Sequence, residues 1–187
     1  MFSTLRWIDA ESQSLLGGKK WYVADRQGSW WIERDEGVFR GRYEHTIDGK
    51  GRTSLPARFR EVLSGQGESR LIVTTGLEPC LVAYPLREWE AFEERLSRLP
   101  SFDASVAMLK RIYVSGAIEC DIDKLGRLLL PSSLREHAGI TRDLLWAGMG
   151  KNVEIWDKSR FDALSRAALD DVAKRDDMVR RLAELGL

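Results

Sequence analysis

Tyr43-Glu44-His45-Thr46-Ile47-Asp48-Gly49-Lys50-Gly51-Arg52-Thr53-Ser54-Leu55-Pro56-Ala57-Arg58-Phe59-Arg60 returns further along as Ile118-Glu119-Cys120-Asp121-Ile122-Asp123-Lys124-Leu125-Gly126-Arg127-Leu128-Leu129-Leu130-Pro131-Ser132-Ser133-Leu134-Arg135. Glu44 maps to Glu119, Asp48 to Asp123, Gly51 to Gly126, Arg52 to Arg127, Pro56 to Pro131 and Arg60 to Arg135, each 75 positions on. Six identities in one register, a glycine and a proline among them, mark two copies of one small unit. The pair is what folds.

Each copy reads as strand, turn, strand, helix and two closing strands. In the first, residues 43–47 form a strand with Tyr43, His45 and Ile47 on one face. Asp48-Gly49-Lys50-Gly51 is a tight turn, because glycine accepts positive φ without steric cost. Residues 52–55 make a second strand, and Pro56 suits the first turn of the helix that continues over 57–63. Strands 71–75 and 80–84 close the unit around a turn at 76–79. The second copy repeats this plan: strand 116–122, turn 123–126, strand 127–130, helix 131–138 and closing strands 144–149 and 152–156. Between them Glu88, Trp89, Phe92, Leu96 and Leu99 give a helical stripe that Pro100 ends. A second helix is expected over 101–114, with Asp103 near its start. Residues 157–187 read as mostly helix. The expected organisation is an N-terminal extension outside the fold (1–37), repeat 1 (42–88), a helical connector (89–114), repeat 2 (115–158) and a C-terminal helix (159–187).

One ββαββ unit is too small to bury a stable core, and its strands leave exposed edges. Two units with interleaved hairpins solve both problems by closing a barrel. The expected fold class is therefore α+β: one closed β-barrel with pseudo-twofold symmetry and peripheral helices. The turns 48–51 and 123–126 are then related by the twofold. Each carries a lysine and ends just before an arginine, which suits a loop that approaches a phosphate backbone or groove edge.

Composition narrows the function classes. The 187 residues are 43% hydrophobic, as in a soluble globular protein. No apolar run approaches the roughly 20 residues that cross a bilayer, so no membrane partner is expected. Residues 1–10 lack a secretory signal pattern. Cys80 and Cys120 read as reduced cytosolic thiols, with a structural disulfide as the alternative. With His45 and His137 they show no metal-ligand spacing, so neither metal nor cofactor is expected. Net charge is zero, 29 basic against 29 acidic residues, which argues against blanket electrostatic binding. The charge is uneven, however. Repeat 1 carries Arg40, Arg42, Lys50, Arg52, Arg58 and Arg60 against Glu44, Asp48 and Glu61, whereas the matching stretch of repeat 2 has no basic excess.

Residues 1–37 hold Trp7, Trp21, Trp30 and Trp31, four of the seven tryptophans, and a breaker-rich Gly17-Gly18-Lys19-Lys20 without P-loop spacing. One expectation is that Val38 is the true initiator, read from a GTG start codon. The intact mass of natively expressed protein tests it.

Val38-Phe39-Arg40-Gly41, Asp48-Gly49-Lys50-Gly51-Arg52, Leu55-Pro56 and Arg60, then Asp123-Lys124-Leu125-Gly126-Arg127, Leu130-Pro131 and Leu134-Arg135, then Val153-Glu154-Ile155-Trp156 together resemble MraZ. That is a bacterial regulator family built from two AbrB/SpoVT-type repeats. Its members usually begin at the position matching Val38. The resemblance implies a swapped-hairpin barrel that assembles into a homo-oligomeric ring. It implies binding to direct repeats of double-stranded DNA in the promoter of a division and cell-wall gene cluster containing its own gene. The implied role is a transcriptional regulator, usually a repressor, in the cytoplasm on the nucleoid, with no small-molecule ligand. In the family the D-x-K-G-R turn faces DNA, which carries over onto Lys50 and Arg52. The candidate DNA-binding set is Arg42, Lys50, Gly51, Arg52, Lys124 and Arg127. Repeat 2 departs from the pattern, with lysine one position early and Leu125 where repeat 1 has Lys50.

Two readings of the arginines stay open. Arg52 reaches a guanine edge or phosphate, or it pairs with Asp48; Arg127 does the same, or holds the barrel through Asp123. Asp48 and Asp123 read as turn-capping carboxylates. Gly49 and Lys124 follow them where an aspartic dyad needs a small hydroxyl residue. No nucleophile–base pair converges, so no enzyme is expected. The alternative to a DNA-binding regulator is a protein-interaction or antitoxin-like module on the same barrel. The C-terminal helix reads as a packing helix or an oligomer contact.

Overall fold

The computed structural model describes residues 21–24, 30–33 and 37–186. The chain divides into two compact units, Met1–Gly37 and Val38–Leu187. In the first unit the sequence pattern assigns no element. The structure pairs β1 (Trp21–Ala24) antiparallel with β2 (Trp30–Glu33), Trp21 opposite Glu33. Trp7 and the Gly17–Lys20 stretch lie outside the described residues.

The second unit runs β3 (Arg42–Thr46), β4 (Arg52–Ser54), α1 (Ala57–Gln66), β5 (Arg70–Thr75), β6 (Leu81–Pro85), α2 (Leu86–Ser97) and α3 (Ala104–Leu109). A π-helical turn (Lys110–Val114) leads to β7 (Ile118–Asp121), β8 (Arg127–Leu129), α4 (Ser132–Ala138), β9 (Asp143–Gly148), β10 (Val153–Asp157), α5 (Lys158–Asp170) and α6 (Val172–Glu184). None of the described helices is long and apolar enough to cross a membrane.

The strands of the two copies are interleaved. The main sheet is six-stranded, in the order β3-β9-β10-β6-β5-β7, and β4 pairs with β8 in a separate two-stranded ribbon. All pairings are antiparallel. Their registers carry the repeat symmetry. In the ribbon Arg52 faces Leu129, Thr53 faces Leu128 and Ser54 faces Arg127, so a local twofold runs through the Thr53–Leu128 pair. In the sheet Glu154 faces Val82 at the β10–β6 junction, and that pair is the sheet's own pivot: β3 and β7 are its equivalent edges.

The closed barrel expected from the sequence is not formed by these ladders. The six-stranded sheet is open, and among the described residues a single bridge, Ile47 to Thr53, joins β3 to the ribbon. The turns and prolines keep this pairing short. The Asp48 N–H donates to the Arg52 carbonyl of β4 at 2.8 Å, a rung that belongs to that same bridge. Pro56 and Pro131 then stand at the N-caps of α1 and α4 and lack an N–H, so β4 and β8 stop at three residues.

The core gathers apolar residues from both copies, with Leu55, Phe59, Leu128, Leu130, Trp146 and Ile155 buried. Phe59 of α1 receives Tyr43 and Phe39 edge-on, ring centres 5.0 and 5.3 Å away. In the connector, Trp89 and Phe92 of α2 pack on Tyr84. The helix expected over 101–114 is α only to Leu109; Thr74 and Thr75 hydroxyls donate to the Tyr113 and Ile112 carbonyls at 2.6 and 3.2 Å, where the chain widens into the π turn. Asp103 caps α3, accepting from the Ser105 and Val106 N–H groups. The C-terminal segment divides at Asp171, whose carboxylate accepts from Lys174 N–H and starts a second helix. Cys80 and Cys120 are buried free thiols, pushed up to about 12 and about 11 first by desolvation.

Candidate nucleic-acid interface

The turns at 48–52 and 123–127 have the same construction. In the first, Gly51 N–H donates to the Asp48 carbonyl at 2.9 Å; in the second, Gly126 donates to Asp123 at 2.8 Å. Both glycines sit at positive φ, +82° and +73°, which the turn requires. One Asp48 carboxylate oxygen accepts from the Lys50 and Arg52 backbone N–H groups, each at 2.9 Å. The other takes the Arg52 guanidinium, Nε at 2.9 Å and Nη2 at 2.8 Å. Asp123 does the same with the Leu125 and Arg127 N–H groups and with Arg127 Nε at 3.0 Å and Nη2 at 2.8 Å. The Asp48 carboxyl is pulled down to about 2, first by the Arg52 backbone N–H, then by its side chain. Asp123 is lowered for the same reasons. A guanidinium held along its Nε–Nη2 edge still presents its Nη1–Nη2 end.

Each turn is also braced by the other copy. Leu55 N–H donates to the Gly126 carbonyl at 2.9 Å, and Leu130 N–H to the Gly51 carbonyl at 2.8 Å. Arg60 of α1 lies on Gly126, its Nη1 3.5 Å from the Leu125 carbonyl. Arg135 of α4 lies on Gly51, its Nε donating to the Leu130 carbonyl at 3.0 Å. A β-carbon at Gly126 would overlap Arg60, and one at Gly51 would press on the Leu130 carbonyl oxygen at 3.0 Å, so glycine serves space as well as φ. The repeated Arg60 and Arg135 are thus mutual braces.

The ribbon between the turns has two faces, as strand alternation requires. Thr53 and Leu128 point inward and are 1% exposed. Arg52, Ser54, Arg127 and Leu129 occupy the opposite, outward face. Lys50 and Lys124 stand on the turns at its two ends.

A family model described as "MraZ protein, putative antitoxin-like" matches residues 38–112 and again residues 113–182, one match per copy. This chain belongs to the MraZ family. Its relatives include the protein named Transcriptional regulator MraZ of Desulfitobacterium hafniense (strain DSM 10664 / DCB-2), 48% identical over 136 residues, 73% of this chain and 92% of that protein. Those of Caldanaerobacter subterraneus subsp. tengcongensis and Acetivibrio thermocellus carry the same name. The first is 46% identical over 68% of this chain and 86% of that protein, the second 40% identical over 80% and 100%.

In this MraZ-family chain the structure brings together Lys50, Gly51, Arg52, Lys124 and Arg127 around one ribbon. Arg42 stands apart, at the far end of β3 from the turn, its guanidinium 4.8 Å over the Phe161 ring of α5. The basic excess of repeat 1 does not gather at its turn either: Arg58 pairs with Glu61 at 2.9 Å and Arg60 braces repeat 2. The turns themselves are balanced. Residues 48–52 hold Asp48, Lys50 and Arg52, and 123–127 hold Asp123, Lys124 and Arg127, so each is two bases against one acid, net +1. Both readings of the arginines meet here, since Arg52 and Arg127 are paired to their aspartates yet stay on the outward face. Sequence reasoning missed Ser54 and Leu129 as outward residues. The period of two counted from buried Leu128 carries that signal.

Proposed function

We propose that this chain is a sequence-specific DNA-binding transcriptional regulator, a repressor of the division and cell-wall cluster holding its own gene, acting in the cytoplasm on the nucleoid. The observation that carries it is the ribbon: two arginines oriented by their own aspartates, on the exposed face of a two-stranded strand pair, with a lysine at each end. B-DNA's major groove, about 12 Å wide, admits such a ribbon. Arginine ends meet guanine O6 and N7, the lysines meet phosphates, and Asp48 and Asp123 fix the arginines' orientation before DNA arrives. We read sheet and ribbon together as a barrel-like shell of exchanged hairpins that keeps this face rigid.

Four cations per subunit give modest affinity, so occupancy comes from a homo-oligomeric ring engaging several promoter direct repeats at once. The relatives' name, Transcriptional regulator MraZ, supports the reading. No catalytic step, small molecule or membrane enters it. The test is a gel shift on the DNA upstream of the protein's own gene. Arg52→Ala is expected to cost about 1–3 kcal/mol of binding per contact. An unchanged affinity removes Arg52 from the site, and no shift at low salt removes the DNA reading.

A second reading, a protein-interaction or antitoxin-like module, draws on an open apolar groove of about 450 Å³ lined by Leu77, Ala104, Met108 and Ile112. It predicts a partner protein and no shift.

A further inference from the structure

We infer that Leu125 and Leu129 read thymine methyl groups, so that each end of the interface sets one leucine beside its cations. The inference rests on the DNA-binding reading above and adds what the second copy recognises. Both leucines are exposed, by 68% and 52%. Single exposed leucines on a surface need no explanation. These two do, because of where they stand.

Leu129 lies on the outward face of the ribbon, directly opposite Arg52 in the ladder. Leu125 is at the tip of the second turn, where its own N–H is tied to Asp123 and its carbonyl faces Arg60. The position is therefore fixed rather than loose. Their equivalents in repeat 1 are polar: Lys50 for Leu125 and Ser54 for Leu129. The twofold thus matches backbones while the side chains differ at these two places and at Gly49 against Lys124, and both polar residues are replaced by leucine.

The surroundings name the occupant. Each leucine has cations for neighbours, Arg52 opposite Leu129 and Lys124 and Arg127 in the turn of Leu125, a setting that suits a polyanion and disfavours the apolar seam of a subunit contact. On a nucleic acid the apolar feature that leucine can reach in the major groove is the thymine C5 methyl. Residues opposite each other in a ladder have Cβ atoms about 5 Å apart. Successive bases of a strand rise about 3.4 Å. Arg52 and Leu129 side by side therefore fit a guanine with a neighbouring thymine. Ser54 and Arg127, the other pair, fit a guanine beside either base. One subunit consequently distinguishes the two directions along the duplex.

The experiment compares two versions of the DNA upstream of the protein's own gene, one made with thymidine and one with deoxyuridine throughout, in gel shifts with the full chain. The wild type is expected to bind the deoxyuridine fragment about four-fold more weakly per methyl lost. Leu125→Ala with Leu129→Ala is expected to bind both fragments alike, and Leu125→Lys with Leu129→Ser, which gives repeat 2 the residues of repeat 1, likewise. Equal wild-type binding to the two fragments overturns the inference while leaving DNA binding intact. So does a deoxyuridine penalty that persists in the double variants. A change of oligomeric state in those variants, by sedimentation, with the penalty unchanged assigns the leucines to a subunit contact and also overturns it. Absence of any shift sinks the DNA-binding reading itself. The leucines are exposed, so the variants are expected to fold; thermal melts check this.

Discussion

The turns at 48–52 and 123–127 share their backbone hydrogen bonds, their Asp–Arg lock and their positive-φ glycine, and differ at two side chains, Gly49 against Lys124 and Lys50 against Leu125. Two of the shared residues serve the fold: the aspartate organises the turn, and the glycine admits the other copy's arginine. The third, Arg52 or Arg127, is held by that aspartate but stays on the outward face. The differing residues stand at the tip, so the two copies share one arginine lock and vary what flanks it.

The two copies are chemically least alike at the pivot of the ribbon. Thr53 and Leu128 are equivalent, adjacent and equally buried, yet chemically unlike. Leu128→Ala is expected to cost about 2–5 kcal/mol in urea unfolding, from lost transfer energy and a cavity. The Thr53 hydroxyl is buried with no hydrogen-bond partner among the described residues. Thr53→Val removes an unsatisfied group at nearly constant volume and is expected to stabilise by about 1 kcal/mol. Destabilisation of similar size at both positions would show that the hydroxyl has a partner in solution.

The two turn glycines have unlike neighbours. Gly51→Ala and Gly126→Ala each place a β-carbon at positive φ, at about 1–2 kcal/mol. Their neighbours differ. At Gly51 the new carbon would stand 3.0 Å from the Leu130 backbone oxygen, which cannot withdraw. At Gly126 it would overlap the Arg60 guanidinium, the end of a flexible side chain that can swing into solvent. Gly51→Ala is therefore expected to be the more damaging. In an Arg60→Ala background the Gly126→Ala penalty falls to the φ cost alone, whereas Arg135→Ala does not rescue Gly51→Ala to the same extent. Equal rescue at both sites would mean that arginine, not backbone, limits both.

A smaller effect tests whether the lock persists in solution. Asp48 titrates near 2 when folded, below its ordinary 3.8, so the folded turn binds fewer protons than the unfolded chain. The stability it contributes is complete above about pH 4 and lost as pH falls through about 2. Asp123 shifts the same way. Carboxyl NMR is expected to place the Asp48 midpoint near 2, and Asp48→Asn to flatten the thermal-stability loss between pH 4 and 2. A midpoint near 3.8 would mean that Arg52 is not held by its aspartate.

Much of this was legible in the residues. The 75-residue offset located both turns, both ribbon strands and the prolines that open α1 and α4, because glycine, proline and paired charges leave local signatures. Closure of the barrel was not legible. It depends on how far the chain before Asp48 pairs with β4 beyond the Ile47–Thr53 bridge, and no residue type decides that. The division of the C-terminal helix turned on Asp171, which competes as an N-cap in a stretch of good helix formers. The role of Arg60 was hidden because its partner, Gly126, is distant in sequence and contributes no side chain. The charge count of repeat 1 misled in one respect, since Arg42 and Arg58 are spent on Phe161 and Glu61.

The smallest expected effect separates the two tips directly. If Lys50 neutralises a phosphate, Lys50→Ala reduces the slope of log affinity against log salt by about 0.9 per bound chain. It weakens specific and unrelated duplexes by the same factor, because a phosphate contact carries no sequence. Leu125 carries no charge, so Leu125→Ala leaves the slope unchanged and weakens only duplexes with thymine at its position. Two substitutions at equivalent places on equivalent backbones are thus expected to alter different observables, one the salt dependence and the other the sequence preference. If both moved the slope, the loss at Leu125 would be a disturbance of nearby Lys124, and the two tips would be doing one job between them.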